Sequence, residues 1–254
     1  MANTTFPAEV ISLPSKGYFY PEDSPLSSGE IEIKYMTARE EDILTSANLI
    51  KKGLVIDTLL KALVVNPDIN FKDILIGDKN AIMIAARVLG YGKEYNIEVP
   101  GEFDDSESLV VDLTELKHKE VDFSKFEKGK NEFSFTLPNS KRDIAFKFLT
   151  SGDEDEVDRD LKAMNKLKKL VEAEMTTRLK KRITSVDGNR EQSFINKFVD
   201  TEFLSVDSFA FRTYVDEITP DVDMNYEYVS SIDGEEKEIV VPMTTQFFWP
   251  TSRK

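Results

Sequence analysis

Thr37-Ala38-Arg39-Glu40-Glu41-Asp42-Ile43-Leu44 is the stretch on which the architecture turns. Thr37 is suited to cap a helix, Glu40 three residues on completes a capping box, and Glu41 and Asp42 lie where a helix N-terminus favours negative charge. Ile43, Leu44, Ala47 and Ile50 continue as an apolar stripe, and Gly53 is a natural stop. A second helix is predicted from Leu54, Ile56, Leu59, Leu60, Leu63 and Val64, closed by Asn66-Pro67. After a short turn at 71–75, Gly77-Asp78 leads into a third, with Asp78 as its expected cap. Its body, Ala81-Ile82-Met83-Ile84-Ala85-Ala86-Arg87-Val88-Leu89, is apolar almost all round and therefore predicted to be buried. Gly90-Tyr91-Gly92 ends it, so residues 36–92 read as a helical subdomain.

Toward the N-terminus, Ile31, Ile33 and Tyr35 alternate as in a half-buried strand. Before it lies Leu13-Pro14-Ser15-Lys16-Gly17-Tyr18-Phe19-Tyr20-Pro21, where the prolines favour extended backbone. Residues 1–35 are thus an expected extended arm and strand. Tyr18, Phe19 and Tyr20 have two readings: they pack on the protein's own body, or they dock the arm on a neighbouring subunit.

Beyond Gly92 the period becomes two. Tyr95, Ile97 and Val99 alternate, as do Leu109, Val111 and Leu113, then Phe133, Phe135 and Leu137, then Ile144, Phe146 and Phe148. With Asn139-Ser140 as the turn between the last two, residues 93–150 read as a small antiparallel sheet. Residues 151–254 form the last unit. A long helix is expected over 153–185, acidic at its start and basic at its end, with Val157, Leu161, Met164, Leu167, Val171, Met175, Leu179 and Ile183 on one stripe. It would span about 45 Å, which suits either a spine packed on its own domain or a helix that binds a partner or self-associates. Two shorter helices follow at 191–200 and 205–214, the second capped by Ser205 or Asp207. Asp233-Gly234 between two β-rich runs predicts a hairpin, and Phe247-Phe248-Trp249-Pro250 carries the sole tryptophan. The expected fold class is α+β: helical N-terminal subdomain, small inserted sheet, long helix, and a C-terminal helix-hairpin piece with an aromatic tail.

The charge of -14 and pI of about 4.7 disfavour nucleic acid as a partner. The basic residues between 162 and 182 are balanced by nearby acids and lack interleaved aromatics for base stacking. With no cysteine, disulfides, thiolate catalysis and Cys-ligated zinc are excluded. His118 is the single histidine, which rules out a multi-histidine metal site, and no Gly-x-Ser-x-Gly elbow accompanies any serine. Gly90-Tyr91-Gly92-Lys93 follows a helix and precedes a strand, the reverse of a P-loop. Asp153-Glu154-Asp155-Glu156 lacks the spacing of an EF-hand and reads as a solvated helix start. No apolar run approaches the length of a membrane span, and the N-terminus lacks the basic segment and apolar run of a signal peptide. The expectation is a soluble, non-catalytic protein without metal or cofactor; an enzyme using some of the 47 acids is the remaining alternative, although no pair stands out.

Three stretches in order resemble the baseplate hub and hub-assembly proteins of T-even-type contractile-tailed phages. They are Leu13-Pro14-Ser15-Lys16-Gly17 with its aromatics, the helical block from 36 to 91 with its Leu-Ile-x-x-Gly at 49–53, and Phe247-Phe248-Trp249-Pro250. The likeness covers both ends and about a third of the chain. Members of that family often carry cysteine pairs suggestive of zinc ribbons; this chain has none, so packing and hairpin hydrogen bonds must hold any such knuckle. The resemblance implies a virion tail-baseplate protein, present in the host cytoplasm during assembly, whose partners are other baseplate and tail proteins. Tyr18, Phe19, Tyr20, Phe247, Phe248 and Trp249 are then the expected interface anchors. A transient assembly chaperone absent from the virion fits the same residues.

Overall fold

A computed structural model describes residues 7–100, 106–166, 173–243 and 245–248. Its fold is α+β, with eight α-helices and small antiparallel sheets of two or three strands among the described residues. Strands β1 (Ala8–Ser12) and β2 (Glu30–Lys34) pair antiparallel, and β2 leads into α1 (Ala38–Leu44), α2 (Ala47–Lys52) and α3 (Val55–Leu63). The Thr37–Glu40 capping box forms at the start of α1, and Gly53, at φ 71°, ends α2 in the left-handed conformation that glycine tolerates.

Helix α4 (Ile76–Tyr91) is the centre of the molecule, with Ala81, Ile82, Ile84 and Ala86 buried. It also carries two buried charges. Asp78 does not cap the helix as expected. It sits within the first turn, reaches out of the helix, and accepts bonds from Ser15 N (2.9 Å), Ser15 Oγ (2.6 Å) and Tyr20 OH (2.6 Å). Tyr20 OH in turn accepts from Leu75 N, so the loop between β1 and β2 is bolted to the helix start. That loop is compact, not an arm. Gly17, at φ 72°, lies so close to the 27–29 backbone that a Cβ there would be 2.4 Å from Ser27 O.

The strands expected to form one sheet separate into two. β3 (Glu94–Pro100) and β4 (Ser106–Asp112) make a hairpin of their own. β5 (Phe133–Thr136) and β6 (Asp143–Phe146), joined through the Asn139-Ser140 turn, pair with each other, and β6 pairs on its other edge with a third strand, β7 (Ile183–Val186).

That third strand comes from the segment expected to be one long helix. The structure corrects this expectation: α5 (Ser151–Lys166) and α6 (Glu174–Arg182) lie on either side of residues 167–172, which fall outside the described residues, and pack against each other. Lys181 Nζ reaches Glu156 (2.8 Å) and Arg178 bonds Glu154, pairs that a straight helix would hold far apart. Ile183 then leaves the helix and pairs with Phe146. Burial of Ile183 and Val186 in the sheet, with its ladder of hydrogen bonds, outweighs helix continuation.

Helices α7 (Gln192–Thr201) and α8 (Ser205–Ile218) cover the three-stranded sheet, α8 through Phe211 against Phe146 and Tyr214 stacked on Phe135. Leu204, not Ser205 or Asp207, occupies the cap position of α8, without a side-chain bond. Asp207 is buried and instead accepts from Asn139 N, Asn139 Nδ2 and Ser140 N, pinning the β5–β6 turn. Burial would raise its pKa, but those bonds prevail and hold it at about 2. β8 (Asn225–Val229) and β9 (Glu236–Val240) form the expected hairpin around Asp233-Gly234.

Candidate functional site: a cleft between α6 and α8

Of the six residues expected to be interface anchors, the five that are described are used inside the chain. Phe19 lies in the middle of an aromatic cluster with Phe123, Phe126, Phe133 and Phe148, at centroid distances of 5.0–5.7 Å. Tyr20 is buried on Asp78, and Tyr18, half-buried, donates to Phe126 O (2.9 Å). Phe247 and Phe248 are buried as well; the Phe247 ring meets Tyr95, and its carbonyl accepts from Arg87 Nε (2.8 Å). These four buried rings, Phe19, Tyr20, Phe247 and Phe248, therefore cap the protein's own core. An aromatic run beside a glycine lowers its free energy by any apolar contact, and here the core supplies it. Trp249 lies outside the described residues.

The arrangement that stands out as a site is elsewhere. A cleft of about 690 Å³ opens between α6, the end of α8 and the first turn of α4. Leu75, Phe148, Leu149, Leu179 and Val215 give it an apolar wall, while Lys119, Arg178, Arg182 and Arg212 bring in four cations. Gly77 keeps the floor tight, because a Cβ there would fall 1.9 Å from Pro220 O.

Most of the charge in and around the cleft is already matched. Arg178 bonds Glu154 and Glu174, Lys119 pairs with Asp216 (3.1 Å), and Lys180 with Asp200 (2.6 Å). Asp221 accepts from Asn80 Nδ2 (3.0 Å) and Val222 N (2.7 Å). Burial raises the pKa of Glu154, and its partner Arg178 opposes that shift. Two arginines are left. Among the described residues neither Arg182 nor Arg212 makes an ion pair, and the buried Nη1 of Arg182 has no hydrogen-bond partner. Burial, with Arg178 nearby and Glu154 opposing, lowers the Arg182 pKa to about 10, so it remains a cation at neutral pH. Buried polar groups are normally bonded, so this nitrogen stands out within the fold.

The rim continues along the outer face of α8. Val206, Phe209, Arg212 and Asp216 follow one another at spacings of three and four, which places them on one stripe. Phe209 is 66% exposed and Val206 55%. An exposed phenylalanine and an exposed arginine thus share one face of α8. Of the four carboxylates that line the cleft, Glu154, Glu174 and Asp216 are ion-paired and Asp221 is held by Asn80 and Val222 N. No group of three potential metal-ligating side chains occurs among the described residues. His118 lies outside the cleft, and desolvation followed by the Lys16 ammonium lowers its pKa. No described helix is long and apolar enough to cross a membrane.

Sequence reasoning missed this site. It read Arg182 with the other cations of 178–182 as an answer to a helix dipole. The available signal was the outward Val206–Phe209–Arg212 stripe on a helix whose other face, Phe211 and Val215, supplies the core. No family model, curated protein or solved structure matches this chain.

Proposed function

We propose that this chain is a non-catalytic, protein-binding component of a contractile phage tail baseplate, either a hub subunit or a hub-assembly factor. Two independent supports carry the two halves of that reading. The phage assignment rests on the ordered resemblance of the 13–17, 36–91 and 247–250 stretches to hub and hub-assembly proteins. The mode of action rests on the α6–α8 cleft, lined by Arg182 and Arg212 without ion pairs among the described residues, and on the exposed Val206–Phe209 stripe that shares a face of α8 with Arg212. Such a surface gains its affinity from the apolar residues and its selectivity from the cations, which penalise partners without a matching carboxylate.

The test is mass spectrometry of purified mature phage particles, quantified against a known tail protein, with infected lysate analysed in parallel. A fixed small copy number in particles supports a hub subunit. Absence from particles, with co-purification alongside tail proteins from lysate, supports the transient assembly factor. Absence from both sinks the baseplate reading.

A further inference from the structure

The β8–β9 hairpin is a sheet of two strands, and no third strand pairs with it among the described residues. Its inner face leans on the body: Tyr226 and Ile239, directly opposite each other, are half-buried against the core. Glu107 accepts from Ser230 Oγ (3.0 Å) and from Ser231 N, which fastens the end of β8 to β4. The outer face carries three cross-strand pairs, Asn225 with Val240, Glu227 with Glu238 and Val229 with Glu236, and all six residues are exposed. Glu227 and Glu238 thus face each other as like charges, an arrangement that costs stability. None of the three glutamates is ion-paired among the described residues. The hairpin's one cation, Lys237, belongs to the inner face and pairs with Asp233.

The ladder decides which backbone groups face outward. Ser230 N donates to Glu235 O and Val241 N to Met224 O, and bonded pairs alternate with unbonded ones along an antiparallel ladder. The bonded pairs of the hairpin are therefore Tyr226 with Ile239 and Tyr228 with Lys237. The amides and carbonyls of Glu236, Glu238 and Val240 point the other way, out from the free edge of β9. No loop or further strand bonds them among the described residues. The residues that offer an open backbone edge are thus the same ones whose side chains lie on the bare face. Open edges are usually blunted by lysine, proline or a bulge, and none of these occurs at the three positions. The two glutamates repel the same edge of a second copy, but they favour a basic strand.

We infer that the free edge of β9 takes an extended basic segment of another protein as a third, antiparallel strand, with lysine or arginine opposite Glu236 and Glu238 and an apolar residue opposite Val240. The backbone ladder supplies affinity and the alternate side chains supply selectivity. Directly opposed residues share a face, so cations two positions apart reach both carboxylates. A cation on Glu238 also relieves its repulsion with Glu227, and the apolar residue covers Val240, which is 69% exposed. Nucleic acid and anionic lipid are repelled by the same charges. No hairpin residue lines the α6–α8 cleft, so this site stands or falls apart from the reading of the cleft.

The test is fluorescence anisotropy of a labelled seven-residue peptide, threonine throughout except for valine second and lysine fourth and sixth. It is titrated with the full chain up to about 1 mM, in low and in raised salt. The expected result is saturable binding that salt weakens. Methylating the backbone nitrogens of the two lysines removes ladder donors and keeps the charge, and it is expected to weaken binding about tenfold. The pair Glu236→Lys with Glu238→Lys alters exposed side chains without ion pairs among the described residues, and a similar loss is expected. That variant is expected to bind instead the peptide with glutamate in place of lysine, which shows that its hairpin is folded. Absence of saturable binding to the parent chain overturns the inference. Binding that backbone methylation leaves intact overturns it as well, since charge attraction alone then accounts for the contact; so does a charge-reversed chain that still prefers the lysine peptide.

Discussion

Two arginines in this protein are drawn out of water, and they are treated differently. Arg87, near the end of α4, is buried and donates to three backbone carbonyls, of Phe247 (2.8 Å), Gly92 (2.8 Å) and Glu94 (3.1 Å). Arg182, at the end of α6, lines an open cleft and leaves Nη1 without a partner. Burial lowers the pKa of both. Yet one guanidinium staples the C-terminal aromatics and the start of β3 to the central helix, whereas the other makes no side-chain bond or ion pair among the described residues. Asp78, at the opposite end of α4, belongs with Arg87, since three donors from the 15–20 loop satisfy it. A satisfied buried charge identifies architecture. An unsatisfied one holds no part of the fold together, and under the proposed reading it lies where a partner would dock.

The largest effect is expected where most donors are orphaned. Asp78→Ala leaves Ser15 N, Ser15 Oγ and Tyr20 OH without an acceptor inside the core and is predicted to cost about 4 kcal/mol. Urea unfolding measures this, and a loss below about 1 kcal/mol breaks the claim that satisfied charges hold the fold. Arg87→Met removes the donors to three carbonyls but keeps an apolar stem, for a predicted loss of roughly 3 kcal/mol. Gly17→Ala sharpens the comparison from the loop side: a positive φ and a backbone contact at 2.4 Å predict a loss of about 2 kcal/mol in thermal unfolding.

A smaller effect is expected from Asp207, whose bonds to Asn139 and Ser140 hold its pKa at about 2. Its folded value is below its unfolded one, so its contribution is present above the ordinary carboxylate value of about 4. It is lost as pH falls through that range toward about 2. Asp207→Asn is therefore predicted to be less stable than the parent at neutral pH, with the difference shrinking over that acid window. A difference independent of pH contradicts this.

Legibility in the sequence followed the range of the interactions. The capping box at Thr37 and Glu40, the stop at Gly53 and the Asp233-Gly234 hairpin depend on residues a few positions apart, and all three form. The break in the expected helix over 153–185 was invisible, because its apolar stripe runs on without interruption. What divides it is tertiary: Glu154 and Glu156 meeting Arg178 and Lys181, and a vacant edge on β6 for Ile183 to Val186. The aromatics of 18–20 and 247–248 were recognisable as residues that must be buried, but composition does not say against which surface. The cleft was least legible of all. That Arg182 is unpaired while Arg178, Lys180 and Lys181 are paired depends on where Glu154, Glu156, Glu174 and Asp200 fall in space.

The measurement that bears most directly on this account is the urea unfolding free energy of Arg182→Met beside that of Arg87→Met. Methionine keeps the apolar stem and removes a charge that the fold leaves unpartnered. The account predicts a stability equal to the parent's or higher, within about 1 kcal/mol. A loss of roughly 3 kcal/mol, comparable with that predicted for Arg87→Met, would show that Arg182 holds the fold and would contradict the cleft's role as a docking surface.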